Sequence, residues 1–347
     1  MKTAIVVPVK NEKHGLESLI NTLLPQMAPH DELIFVDAGS TDGTREFLLS
    51  CAKTNEKIHF FTKSGATCGG GRNAGIRQTE SEIIVHIDGG NIPTKNWLRK
   101  LCAPIIEGKA DYVTGNISFM PIPKRILGID IDMGEIYGLF LFHDFRRDMD
   151  GGMAGGSSVA YKKWIWEDVG GLPAWCGEGG EDVLFVEKIE RLNIPARKTF
   201  VNDAIVFWQI GPHLRNVLKR KLQFQTDIFN SYKSVTELVK RCLIPSFLIL
   251  SVVAGILVPD LRLPAAILLS LEWIRKGAKA NRVFFREAKR KKYPVNRLIL
   301  STGILFFLEG LGLAARMCGF VMGLLSLEKS RKFREKARKY LSGEKGE

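Results

Sequence analysis

Residues 32–44 read Glu32-Leu33-Ile34-Phe35-Val36-Asp37-Ala38-Gly39-Ser40-Thr41-Asp42-Gly43-Thr44. Four apolar residues rich in β-branched types end at a carboxylate, and turn-forming residues follow at once. The stretch predicts a strand that delivers Asp37 to a loop. Thr3–Val9, Ile58–Thr62, Ile83–Asp88 and Tyr112–Gly115 are runs of the same kind. Between the first two, Leu16, Leu19, Ile20, Leu23 and Leu24 recur at helical spacing. Such βαβα order implies an α/β unit with a parallel-centred sheet, helices on both faces and ligands at the C-terminal strand ends.

The unusual residues collect at those ends. Pro8-Val9-Lys10-Asn11-Glu12 follows the first strand, and Asp37 to Thr44 follows the second. Gly69-Gly70-Gly71-Arg72-Asn73 precedes the next helix, and Asp88-Gly89-Gly90-Asn91-Ile92-Pro93 follows the fourth strand. Taken singly, an Asp-Ala-Gly-Ser-Thr turn is a turn and helix cap. Four such clusters at successive strand ends make a site.

Together these motifs resemble the family 2 glycosyltransferases over roughly residues 3–210. The resemblance rests on Val7-Pro8 with Asn11-Glu12, Val36-Asp37 with Ser40-Thr41-Asp42-Gly43-Thr44, Arg72-Asn73 with Gly75, Asp88 with Pro93, and Gly180-Glu181-Asp182. It implies a GT-A, Rossmann-like nucleotide-sugar-binding domain. Pro8, Asn11, Glu12, Asp37, Ser40, Asp42, Arg72, Asn73 and Asp88 would then form the nucleotide-sugar site, Asp37 holding base or ribose and Arg72 lying near the donor phosphates. Asp182 would be the general base that takes the acceptor hydroxyl proton in an inverting displacement, while Gly155 and Glu181 would face sugar or acceptor, and Trp175 reads either as stacking on a sugar face or as a core residue. A guanidinium or a metal suits a diphosphate, and carboxylates suit ribose hydroxyls.

Relatives carry Asp-x-Asp after strand four, and here the sequence is Asp88-Gly89-Gly90. Because Mg²⁺ takes one or two protein carboxylates plus phosphates and waters, Asp88 alone is expected to hold Mg²⁺ or Mn²⁺, with Asn91 assisting. Gly90→Asp, which restores the pattern, is expected to be tolerated or to tighten metal-dependent donor binding. Where relatives have a further His, this chain offers Val206-Phe207-Trp208-Gln209, with His213 beyond. The glycine run Gly151 to Ser158 is read either as a loop against donor or acceptor or as a linker. A non-catalytic nucleotide-sugar-binding or scaffolding relative is the alternative function.

The 347 residues are 45% hydrophobic and 25% charged, which excludes disorder and a disulfide scaffold. Six scattered cysteines read as buried small hydrophobes in a reducing compartment. No secretory signal pattern opens the chain, so the N-terminal part is expected on the cytosolic side. The net charge of +13 is uneven: residues 1–211 hold 23 Lys/Arg against 27 Asp/Glu, and residues 212–347 hold 27 against 10. Long apolar runs separate these basic residues, which favours a membrane surface over nucleic acid.

The expected organisation is a GT-A domain over 1–211, a basic juxtamembrane helix over 212–241, and apolar membrane helices over 242–328 with a basic loop at 275–297. A basic cytoplasmic tail over 329–347 completes it. Leu243 to Val258 and Ala265 to Ile274 are shorter than the ~20 residues a straight span needs, so a thin hairpin or re-entrant pair is expected there. Glu309 and Arg316 lie seven apart and so share one helical face, against a simple lipid-exposed span. Burial in a soluble helical domain is the other reading of these runs. The implied partners are a nucleotide-sugar donor, a lipid-linked or glycan acceptor, membrane lipids and a second copy of the chain, with no nucleic acid.

Overall fold

The computed structural model describes residues 1–142, 156–177, 180–209, 213–230, 247–254, 256–325 and 327–345. Two units organise them. The first comprises Met1–Ser118, Asp148–Gln209 and Lys336–Glu347, and the second Phe119–Arg147 and Ile210–Glu335. Neither is a continuous stretch, and the chain passes from the first unit to the second at Gln209/Ile210, beside the boundary expected at 211. Residues 119–147 group with the later helices, and the expected tail contributes its last residues to the first unit.

The first unit is built on β1 (Thr3–Val9), β2 (Glu32–Asp37), β3 (Ile58–Thr62), β4 (Ile83–His86), β5 (Asn91–Pro93), β6 (Tyr112–Phe119), β9 (Val159–Lys162) and β10 (Lys198–Trp208). The short strands β7 (Pro123–Ile126) and β8 (Ile129–Asp132) pair separately in the second unit. The main sheet runs β3-β2-β1-β4-β9-β6-β10-β5. Its β3, β2, β1 and β4 are mutually parallel, as the sequence predicts. From β9 onward the pairings become antiparallel: β9 lies against β4 and β6, and β10 against β5.

Helices α1 (Lys13–Leu23), α2 (Thr44–Thr54) and α3 (Cys68–Ile76) connect the parallel strands, and α4 (Trp97–Ile106) links β5 to β6. Leu16, Leu19, Ile20 and Leu23 of α1 are buried, in accordance with their spacing, and join Ile5, Val7, Phe35 and Val85 in one core. Gly69 to Gly71 do not precede a helix as expected; they lie inside α3. Thr67 caps that helix by accepting from Gly70 N at 3.0 Å. A Cβ on Gly75 would stand 2.6 Å from Val6 Cγ1, so tertiary packing sets α3 against the sheet despite the ~1 kcal/mol each helical glycine costs.

In the second unit, β7, β8 and α5 (Met133–Phe142) share an apolar core with α8 (Leu214–Asn230), α9 (Arg262–Arg290) and α10 (Val295–Leu325). The basic stretch expected as a loop at 275–297 is helical as far as Arg290. Arg316 of α10 pairs with Glu272 of α9 at 3.3 Å, and Arg275 donates to both Glu272 oxygens at 2.5 and 2.6 Å. Among the described residues one segment, Val295–Gly319, is long and apolar enough to cross a membrane. Of the described cysteines, Cys102 and Cys176 are buried as expected, whereas Cys318 is exposed.

Candidate active site

Sheet register brings the motifs together at one edge of the first unit. β1 and β2 end side by side, with Val9 opposite Asp37. The loops that follow are laced to each other: Asn11 N donates to Ser40 Oγ at 2.8 Å, Thr41 N to Asn11 Oδ1 at 2.8 Å, Glu12 N to Thr44 Oγ1 at 3.0 Å and Lys13 N to Asp42 Oδ2 at 3.2 Å. Asn11 adopts a left-handed φ of 57°, which asparagine tolerates better than most residues. Asp37 is buried and accepts from Ser40 Oγ at 2.5 Å. Asp42 caps α2 through Thr44, and these donors hold its carboxyl below its ordinary range despite some desolvation. Ser40 and Asp42 therefore shape the loops, and Pro8 lies beneath α3, where a Cβ on Gly71 would stand 3.1 Å from its own Cβ.

The other half of the site forms because β9 runs antiparallel to β4, with His86 opposite Val159. The residues before β9 thus arrive beside those after β4. Ser157 Oγ donates to Asp88 Oδ2. Gly156 N donates to Asp182 Oδ2 at 2.9 Å, and Gly156 O accepts from Arg72 at 2.9 Å. Asp182 opens α7 (Glu181–Arg191), where its other oxygen accepts from Val183 N at 2.8 Å. A Cβ on Gly156 would lie 2.8 Å from Arg72 Nη2, so only glycine fits there without displacement.

Arg72 is the hub. It is 1% exposed and donates from Nη1 to Glu181 at 2.6 Å and from Nη2 to Asp88 at 2.8 Å. Burial opposes its charge, but the surrounding acids outweigh that and hold it firmly protonated. The sequence reading sets Arg72 near the donor phosphates; here its buried guanidinium braces the Glu181 and Asp88 carboxylates. Asn73 is also buried, its amide spent on Leu172 N and O and on Trp166 Nε1 at 2.7–2.9 Å. Asn73 thus ties α3 to the segment at Leu172. Trp175, read from sequence as stacking on a sugar or as a core residue, packs edge-on against Tyr340 with ring centroids 6.5 Å apart. Gly155 lies outside the described residues.

Burial, then the neighbouring Glu181 charge, push the Asp182 carboxyl up to about 7 against the pull of Arg72. A carboxylate poised there is suited to accept a proton near neutral pH. Glu181 is buried against Arg72, while the Asp88 side chain keeps 40% of its surface exposed.

For a divalent cation the donor chemistry fits in a limited way. Among the described residues no three His, Cys, Asp or Glu side chains cluster into a cage. Around the Gly89-Gly90 turn, however, stand hard oxygen donors. Asp88 opens the turn, and a Cβ on Gly90 would lie 3.3 Å from Glu12 Oε2. Asn91 is 1% exposed, with both amide atoms buried and without a protein partner. One or two carboxylates with phosphates and waters are what Mg²⁺ or Mn²⁺ takes. The space at position 90 is thus occupied by Glu12, a relation between distant strand ends that spacing alone does not display. Sequence reading did not single out His86 beneath the site, whose Nε2 lies 3.0 Å from Tyr161 Oη, and it took Ser157 only as part of the glycine run. Adjacency to Asp88 was the sequence signal for His86.

A parallel half-sheet with loops converging at its strand ends, extended by antiparallel strands, defines a GT-A type fold. Residues 4–157 match the model of glycosyl transferase family 2. Over those residues the chain is similar to the glycosyltransferases of family 2. It is 22% identical over 142 residues to the glycosyltransferase GlyA of Streptococcus pneumoniae, covering 41% of this chain and 18% of that protein. With the glycosyltransferase TuaG of Bacillus subtilis it shares 29% identity over 118 residues, 34% of this chain and 47% of that one. The chain thus spans less than half the length of these relatives. Among solved structures it is similar to the mannosyltransferase PcManGT of Pyrobaculum calidifontis in complex with GDP-Man and Mn²⁺. That similarity has a TM-score of 0.50 at 18% identity, covering 93% of this chain and 86% of that one.

Proposed function

We propose that the chain is an inverting glycosyltransferase that moves one sugar from a UDP- or GDP-sugar to a lipid-linked or glycan acceptor at the cytoplasmic face of a membrane. The observation that carries this reading is the placement of Asp182. Its carboxylate is fixed by Gly156 N and Val183 N, and Gly156 O accepts from the Arg72 that also braces Asp88. In the transfer, an acceptor hydroxyl oxygen bonds to the anomeric carbon, the bond to the diphosphate oxygen breaks, and Asp182 receives the hydroxyl proton. Asp37 and Glu12 would hold the nucleoside by its ribose or base. Asp88, Glu12 and Asn91 are the groups that would hold Mg²⁺ or Mn²⁺. When bound, such a cation supplies positive charge to the leaving diphosphate.

Membrane attachment rests on the second unit. Leu263, Ile267, Leu271 and Ile274 make one exposed stripe on α9, and Val295, Ile299 and Phe307 continue a second on α10. The basic second half of α9 suits anionic headgroups. A non-catalytic relative is the competing reading, favoured by Gly90 in place of a carboxylate.

Thermal unfolding of the full-length protein in detergent, with UDP-, GDP- and CDP-sugars with and without Mn²⁺, tests the donor site. A donor at a hundred times its Kd stabilises the folded state by about 2.7 kcal/mol, and one nucleotide class is expected to raise Tm. Absence of any shift across the panel contradicts the reading.

A further inference from the structure

The end of the chain does not hang free of the first unit, and what it touches is specific. Lys188 lies two turns along α7 from Asp182, is 0% exposed, and donates from Nζ to the backbone oxygen of Glu344. The same Nζ stands 4.0 Å from the centre of the Tyr340 ring. A fully buried lysine is uncommon unless partnered, and here the partners come from the last residues of the chain. Tyr340 is itself buried, and its hydroxyl donates to Gly171 O at 2.8 Å. A Cβ on Gly170 would lie 3.4 Å from Lys345 Cα, so backbone meets backbone at this contact.

On its far side, the segment these residues press upon touches the site. A Cβ on Gly171 would stand 3.2 Å from Asn73 Oδ1, and Asn73 adjoins Arg72 and holds Leu172 through both amide atoms. Ala174 O accepts from Thr67 Oγ1 at 2.6 Å, which ties the segment to the cap of the helix bearing Arg72. Trp175 meets the edge of the Tyr340 ring. Residues 170–175 are therefore held between α3 on one side and the chain end on the other.

We infer that residues 340–345 are a positioning element of the transfer site: Tyr340 and the Glu344 carbonyl fix Lys188 and the 170–175 segment, and through them the placement of Asp182 relative to Arg72 and Asp88. None of these chain-end residues touches substrate. The inference rests on the transferase reading and deepens it. It explains why a basic, charged C-terminal helix carries a buried Tyr340-Leu341 pair, a pattern that a solvated tail does not need. It also gives Trp175 a role as a buttress.

The test uses full-length protein in detergent carrying Tyr340→Ala, Tyr340→Phe or Asp182→Asn, with steady-state kinetics and hydrogen exchange on each. Tyr340→Ala is expected to lower kcat by about tenfold or more while donor KM changes by less than about threefold, because geometry at the reacting centre is lost and not donor binding. Exchange should accelerate at residues 170–175 and in the first turn of α7, as well as in the chain end. Tyr340→Phe keeps the ring over Lys188 and is expected to restore most of the rate. Wild-type kcat in Tyr340→Ala, with faster exchange confined to the chain end, overturns the inference. Loss through donor KM alone, or a global rise in exchange that Tyr340→Phe does not reverse, also overturns it. If wild type shows no acceptor-dependent release of nucleoside diphosphate with any nucleotide-sugar, the transferase reading itself has failed, and the two failures are told apart.

Discussion

Asp182 holds its proton more tightly than an ordinary aspartate because burial and Glu181 outweigh Arg72. As a base it must be ionised, so kcat is expected to rise with pH through about 7 and to level off above. Stability runs the other way. A carboxyl whose folded value lies above its unfolded one contributes stability that is full below the unfolded value of 3.8 and is lost as pH rises through about 7. Asp182→Asn should therefore unfold at no lower temperature than wild type at pH 8, while its kcat falls by ~10²-fold. Calorimetry and rate measurements at pH 5.5 and 8 check both, and a rate independent of pH across that interval contradicts the assignment. Arg72 offers a second test at this scale. Arg72→Met strands the buried Glu181 charge, and breaking such a pair costs about 3–5 kcal/mol. Denaturant unfolding should show a loss of that order, and a loss below about 1 kcal/mol, typical of an exposed pair, would mean that Arg72 is not the hub.

At the scale of elements, the turn after β4 bears on the proposed cation site. Gly90→Asp would bring a carboxylate against Glu12, whose Oε2 lies 3.3 Å from the position of the new Cβ. The expectation that restoring a second aspartate is tolerated or tightens binding thus gives way to repulsion and crowding. Titration with Mn²⁺ in the presence of nucleoside diphosphate should find weaker binding in Gly90→Asp and loss in Asp88→Ala; tighter binding in Gly90→Asp contradicts the placement of Glu12. The same elements show what sequence reveals. β1, β2 and β4 were legible because unbroken apolar runs end at turn residues, and α1 because its leucines repeat at helical spacing. β5 has only three residues, and β10 reads Lys-Thr-Phe-Val-Asn-Asp before its apolar end, so both depend on sheet partners to form. Gly69 to Gly71 looked like a turn because glycine disfavours helix, and the close approach of α3 to β1 reversed that preference. Arg72 and Asn73 were visible as polar residues after a strand, but burial is a tertiary property, and their buried protein partners could not be read from spacing.

The whole molecule joins a site-bearing α/β unit to a helical unit with exposed apolar stripes. Full-length protein is expected to float with vesicles containing anionic phosphatidylglycerol and to need detergent for recovery, with the association weakened but not abolished by high salt, because apolar insertion outlasts screened charge. Recovery in a high-speed supernatant without detergent contradicts the membrane reading. The central claim is that this chain transfers a sugar with Asp182 as the base. Its most direct test measures acceptor-dependent release of nucleoside diphosphate, together with donor binding, for wild type and Asp182→Asn in the same vesicles. The account predicts turnover in wild type, a fall of ~10²-fold or more in Asp182→Asn, and donor affinity nearly equal in the two. Equal turnover in both proteins would contradict it.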